Sequence, residues 1–146
     1  MKILSIVLLC SAVFCCMAFA QKPNQGSLTI KVDNIKSIKG KVWVGIYDSK
    51  KNFMDRDKAL VEGFEVEGLG QIICRIPQLA FGTYAIAVFH DENNNGELDT
   101  NFLGIPKEPY GFSVKPKSKW RVPRFREVKF DFNQVGQELQ ILLEKW

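Results

Sequence analysis

The chain reads as an all-β protein: an antiparallel β-sandwich of about seven strands, preceded by a cleaved signal peptide. Three observations carry that reading. Apolar and polar residues alternate with period two in short runs, turn residues separate these runs at intervals of roughly ten residues, and no stretch has the apolar spacing of an amphipathic helix. Short strands joined by turns favour two packed sheets.

The elements follow in order. Leu28, Ile30 and Val32 alternate with Thr29, Lys31 and Asp33, the signature of a half-buried strand. Lys36 to Gly40 turns the chain. Val42, Val44 and Ile46 then face one way, with Trp43 and Tyr47 on the other side. The charged stretch Ser49 to Lys58 has room for a helical turn. Ala59–Glu67 and Ile72–Ile76 are two further strands around the Gly68-Leu69-Gly70 turn. Tyr84, Ile86 and Val88 alternate with Ala85, Ala87 and Phe89 and lead into a long polar loop. Val128, Phe130 and Phe132 form the next strand, and Leu139, Ile141 and Leu143 the last. Gly82 followed two residues later by Tyr84 at a strand start matches a tyrosine corner, in which the phenol bonds back to nearby backbone and the ring is buried.

The first twenty residues are excluded from this fold. Met1-Lys2 is a minimal basic start, Ile3 to Ala20 is apolar or small apart from Ser5 and Ser11, and Ala18-Phe19-Ala20 is a small-x-small cleavage pattern ahead of polar Gln21-Lys22-Pro23-Asn24. A membrane anchor is the competing reading of so apolar a run. Lipid attachment is disfavoured, because Cys10, Cys15 and Cys16 are preceded by Leu9, Phe14 and Cys15 rather than by a small residue. Residues 21–146 then make one domain, exported to the periplasm or beyond, with no stable membrane insertion. Three of the 4 cysteines leave with the signal, so Cys74 has no internal disulfide partner and is expected as a buried, inert thiol.

Composition narrows the function classes. Of 146 residues, 46% are hydrophobic and 25% charged, the balance of a globular protein. A formal net charge of +4 is too small to point to nucleic acid. A single histidine, His90, removes His-based relays and multi-His zinc sites.

The sharpest motif runs from His90 to Asp99. Its D-x-N-x-N-G-x-x-D spacing places Asp91, Asn93, Asn95 and Asp99 where an EF-hand-type loop places side-chain oxygens, with Glu97 contributing a backbone carbonyl and Gly96 the sharp turn. Calcium takes six to eight oxygens, which a wrapping loop supplies from alternate residues. The twelfth position is Phe102, so the usual bidentate Glu is missing and affinity is expected to be weak. The bland alternative is that Asn93–Gly96 is turn chemistry alone, because Asn and Gly tolerate left-handed backbone. His90 is expected to pack rather than to ligate. Beyond this loop, Phe102, Tyr110 and Phe112 stand in a segment punctuated by Gly104, Pro106, Pro109 and Gly111. They are candidates to line a binding cleft, for example a sugar-stacking face; the plainer reading is that they lock the loop onto the end of the sandwich. Lys115, Lys117, Lys119, Arg121, Arg124, Arg126 and Lys129 follow around Trp120 and Phe125. In an exported protein such a run suits an anionic polysaccharide, a lipid headgroup or a protein surface, against the default of a solvated loop.

The stretch HDENNNGELDTNFLGIPKEPYGFS, His90 to Ser113, closely resembles the hallmark of the bacterial domain-of-unknown-function family numbered 2141. The resemblance extends to Leu28-Thr29-Ile30, Gly40-Lys41-Val42, Ile46-Tyr47-Asp48-Ser49, Gly82-Thr83-Tyr84 and Ala87-Val88-Phe89, and so across nearly all of residues 21–146. It implies a small exported Ig-like or transthyretin-like sandwich and implies no activity or ligand. The chain departs from the pattern where Val114-Lys115-Pro116-Lys117 stands in place of two Asn, while Pro123 and Phe125 resemble the following Pro-x-Phe segment.

The function expected is therefore a non-enzymatic, extracytoplasmic module that binds an envelope protein or a glycan through the 91–113 loop, with calcium as a candidate to order that loop. Two alternatives remain: a hydrolase using Asp91 and Asp99 as acid and base, and a structural accessory protein of the cell envelope.

Overall fold

The computed structural model describes residues 24–118 and 120–146, so the signal-peptide reading of residues 1–20 lies outside the described residues. Among the described residues eight strands are present: β1 (Gln25–Ile35), β2 (Lys41–Tyr47), β3 (Leu60–Glu65), β4 (Gly70–Ala80), β5 (Gly82–Asp91), β6 (Tyr110–Phe112), β7 (Lys129–Phe132) and β8 (Gln137–Leu142). One helical turn, α1 (Phe125–Val128), precedes β7, and a 3-10 turn, Arg56–Lys58, occupies the charged stretch before β3.

Period-two patterning becomes burial. Leu28, Ile30 and Val32 of β1 are fully buried, while Lys31 points outward and pairs with Glu138 at 2.6 Å. Val42, Val44 and Ile46 of β2, Ile86 and Val88 of β5, and Ile141 of β8 complete the inner faces with Phe132 and Leu143. Each such side chain contributes about 1.5–3 kcal/mol when removed from water. Cys74 is fully buried in this core, and burial pushes its thiol up to about 12, so it stays protonated and unreactive at neutral pH.

The all-β sandwich expected from the sequence is the fold observed. One sheet has the order β4-β1-β8; the other runs β3-β2-β5, with β6 and β7 sharing the far edge of β5. Phe81 alone separates β4 from β5, and the chain changes sheets there. The Tyr84 hydroxyl donates to the Ala80 carbonyl across this corner at 2.9 Å, although the ring is half-buried rather than buried as expected.

Two features differ from the sequence reading. Pairing is antiparallel except between β1 and β8, which run parallel from Leu28↔Gln137 to Asp33↔Leu142. Almost the whole chain separates these two strands, so no hairpin imposes a direction on them. The additional strand is β6, three residues long, which is too short for a period to register within a Gly- and Pro-rich loop. It closes one corner of the sandwich: Tyr110 and the Glu144 backbone exchange hydrogen bonds of 3.0 and 2.9 Å. Gly111 is required there, because a Cβ would stand 2.8 Å from both Ile141 Cγ2 and the Leu142 carbonyl oxygen. No helix among the described residues is long and apolar enough to cross a membrane.

Candidate functional site

Asp91 ends β5 and is buried. Its Oδ1 accepts from the Asn95 N–H at 3.2 Å, and its Oδ2 accepts from the Gly96 N–H at 2.8 Å and from the Trp43 indole at 3.1 Å. Burial by itself would raise this carboxyl's pKa, but the donors from Gly96, Trp43, Asn95 and Asn94 outweigh it and hold the group below its ordinary value. The rest of the loop is equally self-contained. Asn93 and Asn95 direct their side-chain N–H groups to the two oxygens of Asp99 at 2.7 and 3.1 Å. Their own oxygens accept from the backbone N–H of Asn95 and Glu97 at 3.0 and 2.9 Å. Asn94 and Gly96 adopt left-handed φ angles of 61° and 80°, as this Asn- and Gly-rich turn requires.

Neighbouring elements hold the loop down. Arg56 donates to the Gly96 carbonyl while its guanidinium lies 5.2 Å above the Trp43 ring. Trp43 also packs over Gly63, where a Cβ would come within 2.9 Å of the ring. Glu108 is buried, and its carboxylate spans the base of the loop, accepting from Glu92 N–H at 2.9 Å and Asp99 N–H at 3.1 Å. His90 is fully buried; its Nε2–H donates to the Lys39 carbonyl at 2.7 Å, leaving Nδ1 with no hydrogen-bond partner among the described residues. Gly40, at φ 74°, carries the preceding turn so close to β5 that a Cβ would fall 1.7 Å from the Asp91 carbonyl oxygen.

The five proposed calcium-loop residues therefore share one turn, with both amides engaged to Asp99. No group of three or more His, Cys, Asp or Glu side chains placed to hold a metal ion occurs among the described residues.

A second feature adjoins this loop. Tyr110 and Phe112 pair with Phe89 and Ala87 of β5 and so lie on the outer face of their sheet, ring centroids 6.1 Å apart. They line a cleft of about 570 Å³ bounded by residues of the 98–106, 113–118 and 120–123 stretches and by Glu144 and Trp146. Trp120 and Trp146 meet edge to face across it at 5.6 Å. Lys115 is tied to Glu144 at 2.5 Å, and Arg121 grips Glu127 through two hydrogen bonds of 2.7 and 2.8 Å. The Arg121 hydrogen bonds, with the Arg124 N–H, lower the Glu127 carboxyl to about 2. A smaller cavity of about 140 Å³ continues over Trp43, Phe89 and Tyr47. Phe102 is exposed and lines neither cavity.

A family model described as an uncharacterised protein conserved in bacteria, DUF2141, matches residues 30–140. The chain belongs to this family. No curated protein matches it, and no solved structure does. The DUF2141 match contains the Asp91–Asp99 loop, β6 and Trp120, whereas Leu142, Glu144 and Trp146 of the cleft wall lie beyond it. In this DUF2141 chain, the sequence points to Tyr110 and Phe112 on a cleft but not to four other residues that matter to the site. Glu108 and Arg56 lie far from the loop ligands in sequence or face them only after folding. Trp43 shows itself only through the β2–β5 register, which sets it diagonally from Asp91. Trp146 reaches the cleft because the residues after β8 pass β6 at the Tyr110–Glu144 bridge.

Proposed function

We propose that this protein is a non-enzymatic binding module of the bacterial cell envelope whose site is the aromatic cleft over β6. The observation that carries this reading is the cleft itself: about 570 Å³, floored by Tyr110 and Phe112 and walled by Trp120 and Trp146, with Lys115 and Arg121 at its margin. Apolar concavities of this size with a few polar groups at the edge are the usual form of a ligand site. The ligand class it suits is an apolar or aromatic body, and the exposed Lys107, Lys117 and Arg124 beside the lining residues favour one that carries an anionic group. Export rests on the apolar leader ending in Ala18-Phe19-Ala20.

The carboxylates do not favour a hydrolase. Asp91 and Asp99 have their oxygens occupied by N–H groups, and Asp91, held below the ordinary carboxylate range, is a poor proton donor at neutral pH. The anionic fluorophore anilinonaphthalene sulfonate is a suitable probe. It should bind the folded protein with a rise in emission, and Trp120→Ala should weaken that binding about tenfold while leaving near-ultraviolet dichroism intact. Equal affinity for both proteins would remove the cleft from consideration.

Calcium at the Asp91–Asp99 loop is a second reading, favoured by the gathering of Asp91, Asn93, Asn95 and Asp99 around one turn. Turning the two amides over would present their oxygens beside the Asp99 carboxylate. At hundredfold excess over Kd, calcium would then add about 2.7 kcal/mol to stability, and magnesium much less. Asp99→Asn is the informative variant, since Asp91 holds the loop with or without an ion. An unchanged melting temperature of the wild type in calcium would leave the loop as turn chemistry.

A further inference from the structure

The three most exposed large apolar side chains among the described residues, Phe102, Trp120 and Leu103, stand with Val122 at the mouth of the cleft. Phe102 is 94% exposed, Trp120 87%, Leu103 68% and Val122 62%. Leu103, Trp120 and Val122 line the cleft together, and Phe102 adjoins Leu103 at the tip of the 101–105 turn. That turn is not loose. Asn101 Oδ1 accepts from the N–H groups of Leu103 and Ile105 at 2.9 and 3.0 Å, so its tip is held outward by its own backbone. Exposed apolar clusters of this kind mark contact surfaces.

Cations surround the cluster. Lys107 follows Pro106, Lys117 lies between Pro116 and Ser118, and Arg124 follows Pro123; the four neighbours Pro106, Pro116, Ser118 and Pro123 all line the cleft. Lys107, Lys117 and Arg124 are exposed and form no side-chain ion pair among the described residues. Most of the nearby acids are already engaged: Glu108 faces inward to the 91–99 loop, Glu127 holds Arg121, and Glu144 holds Lys115, while Glu97 beside cleft-lining Leu98 is the exposed exception. The surface is thus apolar at its centre and positive at its margin.

We propose that Phe102, Leu103, Trp120 and Val122, ringed by Lys107, Lys117 and Arg124, dock the protein onto an anionic phospholipid bilayer. This names the partner of the cleft and rests on the reading of that cleft as the binding site. Charge complementarity selects an anionic partner, and the exposed apolar centre selects the bilayer among such partners. The cations meet lipid phosphates while the apolar tips enter the headgroup layer, where an indole is at home between hydrocarbon and water. A polyanionic glycan would satisfy the lysines and arginines but would leave Phe102, Leu103 and Val122 in water.

Co-sedimentation of the purified protein with vesicles tests this. Vesicles of phosphatidylglycerol with phosphatidylcholine should carry the protein down, and vesicles of phosphatidylcholine alone should not. Each of Lys107→Ala, Lys117→Ala and Arg124→Ala should weaken binding about fivefold, and added salt should weaken it for the wild type. Phe102→Asp with Leu103→Asp should abolish it. Both positions are exposed, so thermal melts will show whether the fold is kept, and Leu69→Asp, at a site about as exposed as Leu103 in the β3–β4 turn, should bind like the wild type. Binding to both vesicle types alike would overturn the proposal. So would anionic-vesicle binding that survives the Phe102/Leu103 double change, and so would binding to dextran sulfate in place of vesicles. If vesicle binding fails while Trp120→Ala still weakens fluorophore binding, the bilayer proposal falls and the cleft reading stands. If both fail, the cleft reading falls with it.

Discussion

The Asp91–Asp99 loop and the cleft over β6 adjoin each other, yet they use polar and aromatic side chains in opposite ways. In the loop nearly every oxygen is spent internally: Asp91 on Asn95, Gly96 and Trp43, Asp99 on Asn93 and Asn95, and Glu108 on the backbone of Glu92 and Asp99. In the cleft, aromatic faces line open space, and Trp120 is almost wholly exposed. A segment that satisfies its own hydrogen bonds gains order and loses the capacity to offer them to a ligand. Exposed aromatic surface has the reverse character, since it costs free energy in water until something covers it. The polar motif that dominates the sequence thus spends its hydrogen bonds on its own turn, and the proposed binding surface is built on the less regular residues after it.

If that contrast is right, substitutions under the loop should cost stability, and substitutions in the cleft should cost binding. The largest effect is expected at Gly40→Ala. A Cβ 1.7 Å from the Asp91 carbonyl oxygen, added to a φ of 74°, cannot be accommodated without moving β5. We expect more than about 4 kcal/mol of lost stability, read from urea melts, and a well-folded, stable variant would mean that the turn is free to shift.

Asp91→Ala comes next, at about 2 kcal/mol, because it strands partly buried N–H donors that now reach a charged acceptor. The same carboxylate predicts a pH dependence. Its folded pKa lies below the ordinary 3.8, so its contribution is complete above that value and is lost as the pH falls through the lower folded one. Wild type and Asp91→Ala should therefore converge in stability under acid conditions and diverge above about pH 4. A constant difference across that range would mean that the charge plays no part. Tyr84→Phe should cost only about 0.5–1 kcal/mol, since its hydrogen bond to Ala80 is partly open to water. Trp120→Ala is expected to change stability by less than about 0.5 kcal/mol, for an exposed ring removed from a cleft. A large loss of stability there would make the tryptophan structural and weaken the contrast.

Much of this architecture is legible in the amino-acid sequence. The strands from Leu28, Val42, Tyr84 and Leu139 follow from alternation, which is a local property. The turn at Asn93–Gly96 follows from residues that tolerate left-handed backbone, and the Tyr84 bond to Ala80 spans four residues. What the sequence does not reveal depends on register and closure. The parallel β1–β8 pair joins segments from opposite ends of the chain, and β6 exists because Gly111 lets it lie against Ile141 and Leu142. Of the three aromatics in the 101–113 segment, Tyr110 and Phe112 reach the cleft because β6 turns them to its outer face, and Phe102 stands outside on the turn tip. In sequence Trp146 merely follows the last strand; the Tyr110–Glu144 bridge is what brings it opposite Trp120.

The division between scaffold and site can be measured directly by nuclear magnetic resonance on the nitrogen-15-labelled protein titrated with anilinonaphthalene sulfonate. We expect the indole N–H signals of Trp120 and Trp146 and the amides of Tyr110 and Phe112 to move, while the amides of Asp91 to Asp99 and the Trp43 indole stay in place. Shifts centred on Asp91–Asp99, with the Trp120 and Trp146 signals unmoved, would contradict the account.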